Sequence, residues 1–167
     1  MTDRTNLYLV DADFRRRAAI SHSLAGTNIH AEPFEDLDEL ARRWPRDGLI
    51  LVYDEGLMVR RTIDLMTEVG EWLPVVAYSE RPDTHRVVQA ILTGAIDYLD
   101  WPFAAPEVRQ AVAVAEESRG TQGSARLREA MARSRIQKLT KREREVLAGV
   151  ADGLSNRLIG ERLAISP

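Results

Sequence analysis

The sequence predicts an α/β protein: a doubly wound, five-stranded parallel sheet followed by a helical linker and a partial helix-turn-helix. Three observations predict it. Over the first 118 residues, short apolar runs alternate with helical patterns five times, the rhythm of a sheet covered on both faces. Several of those runs end on acids or a hydroxyl, where such sheets gather their chemistry. Beyond residue 118 the composition turns basic and helical.

Leu7-Tyr8-Leu9-Val10 is the first strand and ends at Asp11-Ala12-Asp13. Phe14 to Leu24 is helical in composition, with Gly26 as its stop. Ile29 to Phe34 is a second strand, and Asp36 to Trp44 a short helix closed by Pro45 and Gly48. Leu49-Ile50-Leu51-Val52-Tyr53 is the unbroken apolar run expected of a strand buried on both faces, and it ends on Asp54 and Glu55. Thr62 to Glu71 reads as helix, then Pro74 to Tyr78 as a strand ending at Ser79. Asp83 caps a helix to Leu92, which Gly94 closes. Ile96 to Leu99 is the fifth strand. Pro106 opens a helix through Glu117, with Val108, Ala111, Val112 and Ala115 on one face.

Gly120-Thr121-Gln122-Gly123-Ser124 breaks this rhythm and reads as a linker. Ala125 to Lys138 is basic and helix-prone, with Leu127, Ala130, Met131 and Ser134 along one stripe too weak for a coiled coil. Thr140-Lys141-Arg142-Glu143 is a capping box for a helix running to about Ala151. Asp152-Gly153 ends that helix, and Ser155 caps another from Asn156 to about Leu163. Two short helices on a tight glycine turn read as a helix-turn-helix. The expected division is residues 1–118, a linker over 119–138, and an incomplete helix-turn-helix domain over 139–167. Its recognition helix is expected to be absent, as in a piece of a longer protein.

Composition bounds the function. The chain has 167 residues, 44% of them hydrophobic and 29% charged, the profile of a folded chain. It has no cysteine, which excludes disulfides, thiolate metal sites and cysteine nucleophiles. The longest stretch free of Asp, Glu, Lys and Arg, Ala18 to Ala31, is too polar to span a membrane. The apolar run before Asp11 has only four residues, Leu7 to Val10, too few for a signal-peptide core. A cytoplasmic protein with no membrane partner is expected. The net charge of −3 hides an asymmetry: residues 119–167 carry eleven basic side chains against five acidic ones, leaving the rest of the chain acidic. A basic tail on an acidic body fits a polyanion partner.

Residues 6–118 resemble a response-regulator receiver domain, a flavodoxin-like fold. The resemblance lies in Val10-Asp11, Asp54, Ser79, Thr93-Gly94-Ala95, Tyr98 and Pro102-Phe103. Residues 139–166 resemble the start of a LuxR/FixJ (NarL)-type DNA-binding domain. Leu139 to Leu147, Gly153-Leu154-Ser155-Asn156 and Leu163 to Ser166 carry that likeness. Together they imply a DNA-binding transcription regulator, not an enzyme, acting in a two-component phosphorelay.

The resemblance implies a phosphoacceptor at Asp54, with Ser79 and Tyr98 as switch positions. Receivers join a phosphoryl group to the aspartate through Mg²⁺ held by two adjacent acids after the first strand. Here that pair reads Asp11-Ala12, with Asp13 one place further on, so any metal set would be Asp11, Asp13 and Asp54. The lysine that pairs with phosphoryl oxygens is replaced by Trp101, and Met58 and Thr62 stand where the family has proline and glycine. An atypical receiver is therefore expected, one not switched by ordinary Mg²⁺-dependent phosphorylation and without a resident cofactor. A conventional phosphorylated regulator is the alternative. The likeness also implies a cis Trp101–Pro102 bond and backbone contacts to DNA from Lys141, Arg142, Arg144, Asn156 and Arg157.

A homodimer is expected, through Asp83 to Leu99 or through the 125–138 helix. The signal would come from a sensor kinase, a small molecule or a protein, with a pocket at Ala12, Ser79 and Trp101 as its site in the last two cases. Asp11-x-Asp13 also resembles haloacid-dehalogenase-type phosphatases, but Phe14-Arg15 replaces their Gly-Thr. His22, His30 and His85 lack ligand-like spacing. Trp44 and Trp72 read as helix-end packing, and Arg15, Arg16 and Arg17 as a solvated face.

Overall fold

The computed structural model describes residues 4–118 and 122–164. Five parallel strands form one sheet in the order β2-β1-β3-β4-β5: β1 (Thr5–Val10), β2 (Ile29–Phe34), β3 (Leu49–Tyr53), β4 (Val75–Glu80) and β5 (Asp97–Trp101). The central strands β1, β3 and β4 are the apolar runs, and β2 and β5 form the edges. Helices α1 (Phe14–Ser23), α2 (Leu37–Ala41), α3 (Met58–Val69), α4 (Thr84–Thr93) and α5 (Ala105–Ser118) connect and cover them.

Because side chains alternate along a strand, the sheet separates two cores. One holds Val10, Ile50, Val52, Ile63, Met66 and Val75. The other holds Leu7, Leu9, Leu51, Val76, Tyr78, Phe103 and Val112. Trp44 and Trp72 pack partly buried against the first, and Trp101 against the second. The Trp101–Pro102 bond is cis.

Capping sets most helix starts. Asp13, Asp36 and Asp83 each accept a backbone N–H in the first turn of α1, α2 and α4. Helix α3 has no side-chain cap and starts at Met58, four residues before the start expected from the pattern. A longer helix, α6 (Gln122–Lys138), follows. Gln122, Gly123 and Ser124 are therefore helical rather than linker, while Gly120 and Thr121 lie outside the described residues. Glycine and serine weaken a helix by about 1 kcal/mol or less each, so a run nucleated further along extends back through them.

The chain forms two compact units, divided between Met131 and Ala132, within α6. The second unit carries the end of α6, then α7 (Lys141–Ala151) and α8 (Asn156–Leu163). Ile165, Ser166 and Pro167 lie outside the described residues. No described helix is long and apolar enough to cross a membrane.

Candidate functional site

The strand ends place the acidic residues together with their partners. Asp11 follows β1 and is 2% exposed; Asp54 follows β3 and is 8% exposed. The side chain of Arg16, on the first turn of α1, turns back over β1. Its Nε donates to Asp11 Oδ2 and its Nη2 to Oδ1, both at 2.8 Å. The Tyr78 hydroxyl donates to Oδ2 at 2.5 Å, and the Asp13 backbone N–H to Oδ1 at 2.8 Å. A carboxylate offers about four acceptor positions, so these four bonds saturate Asp11.

Arg16 also lies 3.8 Å over the Tyr53 ring, 3.7 Å from Asp13 and 3.5 Å from Glu80. It is the hub of the acidic end of the sheet. The two bonds to Asp11 raise the guanidinium pKa further. Burial, then the bond to Asp11, pushes the Tyr78 phenol well above its usual range. Asp13 caps α1, and the Arg16 backbone N–H holds its carboxyl below the ordinary value. Arg17 donates to the Asp11 carbonyl. Arg16 and Arg17 are thus structural donors, not members of a solvated face; Arg15 alone of the three is exposed.

A second chain of bonds surrounds Asp54. The Tyr98 hydroxyl lies 2.8 Å from the Ser79 hydroxyl and donates to Asp54 Oδ2 at 2.9 Å. Burial raises the Tyr98 phenol, Asp54 adds to the shift and the Ser79 bond partly offsets it. Arg86 Nε, on α4, stands 4.0 Å from the same Asp54 oxygen. Trp101 faces away into an aromatic cluster, 5.1 Å edge-on from Phe103 and 6.4 Å from Tyr78. Ala12 is exposed, so Ala12, Ser79 and Trp101 do not line one pocket. The cavity beside Asp54 is instead a groove of about 410 Å³ between α3 and α4, walled by Leu57, Arg60, Arg86, Gln89 and Thr93.

In the second unit the capping box is complete. Thr140 accepts the Glu143 backbone N–H, and the Glu143 carboxylate accepts the Thr140 backbone N–H at 2.7 Å. That bond holds the Glu143 carboxyl below its ordinary value. Ser155 caps α8, and Gly149 lets α7 approach Ile159 of α8 closely. Lys141, Arg142, Arg144, Asn156 and Arg157 are all exposed. Arg142 pairs with Glu145 at 2.9 Å and also donates to the Leu163 carbonyl; Arg157 pairs with Glu161 at 2.7 Å.

Residues 137–167 match the family model for bacterial regulatory proteins, luxR family. The transcriptional regulatory protein FixJ of Bradyrhizobium diazoefficiens is 27% identical over 174 residues, covering 100% of this chain and 83% of that protein. The response regulator protein TodT of Pseudomonas putida is 28% identical, covering 99% of this chain and 75% of that one. A crystal structure of full-length FixJ from B. japonicum superposes with a TM-score of 0.62 over 99% of this chain and 84% of that one, at 24% identity, a likeness of fold. The chain thus joins a receiver-like fold to a LuxR-type region over residues 137–167, and along its whole length it is similar to the FixJ and TodT regulators.

The receiver-like fold implies a Mg²⁺ ion at the acidic end of the sheet, and the residues present do not fit one. Mg²⁺ requires carboxylate oxygens with free lone pairs in octahedral array. Those of Asp11 are taken by Arg16, Tyr78 and a backbone N–H, and one oxygen of Asp13 caps α1. Among the described residues no group of three acids or histidines is arranged to hold a metal. The sequence gives Asp11, Asp13, Asp54, Ser79 and Tyr98 their places at the strand ends. It does not mark Arg16 and Tyr78. Of three consecutive arginines, Arg16 reaches the Asp11 carboxylate and Arg17 the Asp11 carbonyl, a choice that the run of like residues does not reveal.

Proposed function

We propose that this regulator binds DNA in the cytoplasm as a homodimer, and that its receiver holds its state without Mg²⁺-dependent phosphorylation of Asp54. The saturation of Asp11 supports this most directly. Phosphoryl transfer to a carboxylate needs cations to offset the repulsion between anions. Here Arg16 is fixed on Asp11, Asp13 and Glu80, and Arg86 stands 4.0 Å from Asp54. At the fifth-strand loop Trp101 supplies an aromatic edge instead of a charge. Tyr98, bonded to both Asp54 and Ser79, already joins the switch positions. A sensor kinase, if one contacts this chain, would then act by docking rather than by phosphoryl transfer.

DNA contact is assigned to the exposed positive side chains of the second unit, Lys141, Arg142, Arg144 and Arg157, with Asn156. Contacts of this kind bring affinity without sequence information. The test is intact-mass spectrometry after incubation with Mg²⁺ and acetyl phosphate, with Asp54→Asn alongside. The expected result is unchanged mass and no Mg²⁺-dependent thermal shift. One added phosphoryl group that is absent from Asp54→Asn would overturn the reading and make this a conventional phosphorylated regulator.

A further inference from the structure

The groove between α3 and α4 has the make-up of a ligand site. Its volume, about 410 Å³, lies within the range of small-molecule pockets, about 300–1,000 Å³. Val59 of α3 and Ala90 of α4, each 4% exposed, lend it apolar surface. Leu57, 73% exposed, lines the same groove and has most of its side chain free to cover an apolar guest.

Two cations line this apolar surface, one from each helix. Arg60 Nε stands 3.6 Å from Asp64, and Arg86 Nε stands 4.0 Å from Asp54. Both separations are longer than a hydrogen bond, and neither guanidinium makes one among the described residues. Each carries five N–H donors in a planar fork that matches a carboxylate. Arg16 is the contrast, because its fork is spent on Asp11. The acids at the groove have donors from within the chain: Asp54 accepts from Tyr98, and Asp83 from the Arg86 backbone N–H. The unspent bonding capacity here is therefore that of cations, beside apolar surface.

We propose that this groove binds a small organic anion with an apolar body. Arg60 and Arg86 hold its carboxylate, and Leu57, Val59 and Ala90 cover its body. A metal ion does not suit the groove, because a metal needs free oxygens where the lining offers forks of donors. An inorganic anion would leave the apolar wall in water. As the signal that sets the protein's state, the ligand rests on the reading that Asp54 is not phosphorylated; as a bound molecule it does not.

The test titrates 1-naphthoate into the full chain by isothermal calorimetry. The controls are 1-naphthalenemethanol, its neutral counterpart, and inorganic phosphate, an anion without an apolar body. Saturable one-to-one binding of naphthoate is expected, about tenfold or more tighter than either control. Arg60→Gln and Arg86→Gln should each weaken it about tenfold, the loss of one charge-assisted fork. Gln89→Trp, at an exposed residue of the lining, should fill the groove and abolish binding with both arginines in place. Arg43→Gln, exposed beyond α2 and outside the groove, should leave it unchanged. All variants are compared at equal helicity by circular dichroism. Absence of saturation, equal binding of the neutral counterpart, or binding indifferent to both arginines and to Gln89→Trp overturns the site. Phosphate binding as tight as that of naphthoate overturns the ligand class. One added phosphoryl group in the mass experiment would instead overturn the reading of Asp54, and leaves the isotherms as a separate result.

Discussion

Replacing Arg16 by methionine keeps a flexible apolar stem against Tyr53 but removes the cation that saturates Asp11. The Asp11 side chain is fully buried, while 18% of the Arg16 side chain is exposed. Two charge-assisted bonds are lost, each contributing about 1.5–3 kcal/mol. Breaking a buried ion pair by removing one partner costs about 3–5 kcal/mol. Entry of water through the opening Arg16 leaves brings the expected loss to the lower end, about 3 kcal/mol, or roughly 10 °C in Tm for a unit of this size. The assay is thermal and urea unfolding followed by circular dichroism, run as a double-mutant cycle with Asp11→Asn. In the doubly substituted chain the neutral amide needs no counter-ion, so it should be more stable than Arg16→Met alone. A Tm loss below about 3 °C for Arg16→Met, or no recovery with Asp11→Asn, would refute the role given to this pair.

Three further outcomes are expected. Gly149→Ala puts a methyl group 2.9 Å from Ile159 Cγ1, so helix propensity gained in α7 is outweighed by overpacking, a net loss of about 1 kcal/mol that disappears in an Ile159→Ala background, read by denaturant unfolding of the second unit. Tyr78 and Tyr98 have pKa values raised above the ordinary 10.0, so the native state keeps protons that the unfolded chain releases. Their contribution is complete below pH 10 and is lost as pH rises beyond it; phenolate absorbance should show both ionising only as the dichroism signal collapses, and their titration in folded protein would contradict it. Glu143 has a pKa lowered from 4.5, so its contribution is present above that value and is lost as pH falls through the depressed one. The acid loss of α7 helicity should therefore shift upward in Thr140→Ala.

Much of the fold could be read from runs of a few residues. Leu49 to Tyr53 is a strand because five consecutive apolar residues need burial on both faces, and the structure puts β3 at the centre of the sheet. Caps were legible wherever a side chain makes the bond, as at Asp83, Thr140 and Ser155. The start of α3 was not, because Leu57 offers no capping atom and so leaves no trace in the sequence. At the site, the acids could be placed because each follows an apolar run. Their partners could not: Arg16 sits in a run of three arginines whose composition is that of any exposed helix, and Tyr78 is one more apolar-looking residue of β4. Which way a long side chain turns is decided by tertiary packing, and an unpaired buried carboxylate makes that choice compulsory.

The edges of the sheet bear on how two copies could meet. An exposed strand edge invites pairing with another chain through its open N–H and C=O groups. On one edge, β2 carries Pro33, in register with Leu9, and proline cannot donate a ladder bond. On the other, β5 carries Asp97 and Asp100, and the Asp100 carboxylate is bound to the Arg81 backbone N–H across the end of β4. Both sides are thereby made poor templates for strand addition. Association by extending the sheet is disfavoured from the outset, so the homodimer proposed above would have to form through side-chain surfaces on helices, where a contact can be formed and released without disturbing the ladder that holds the pocket.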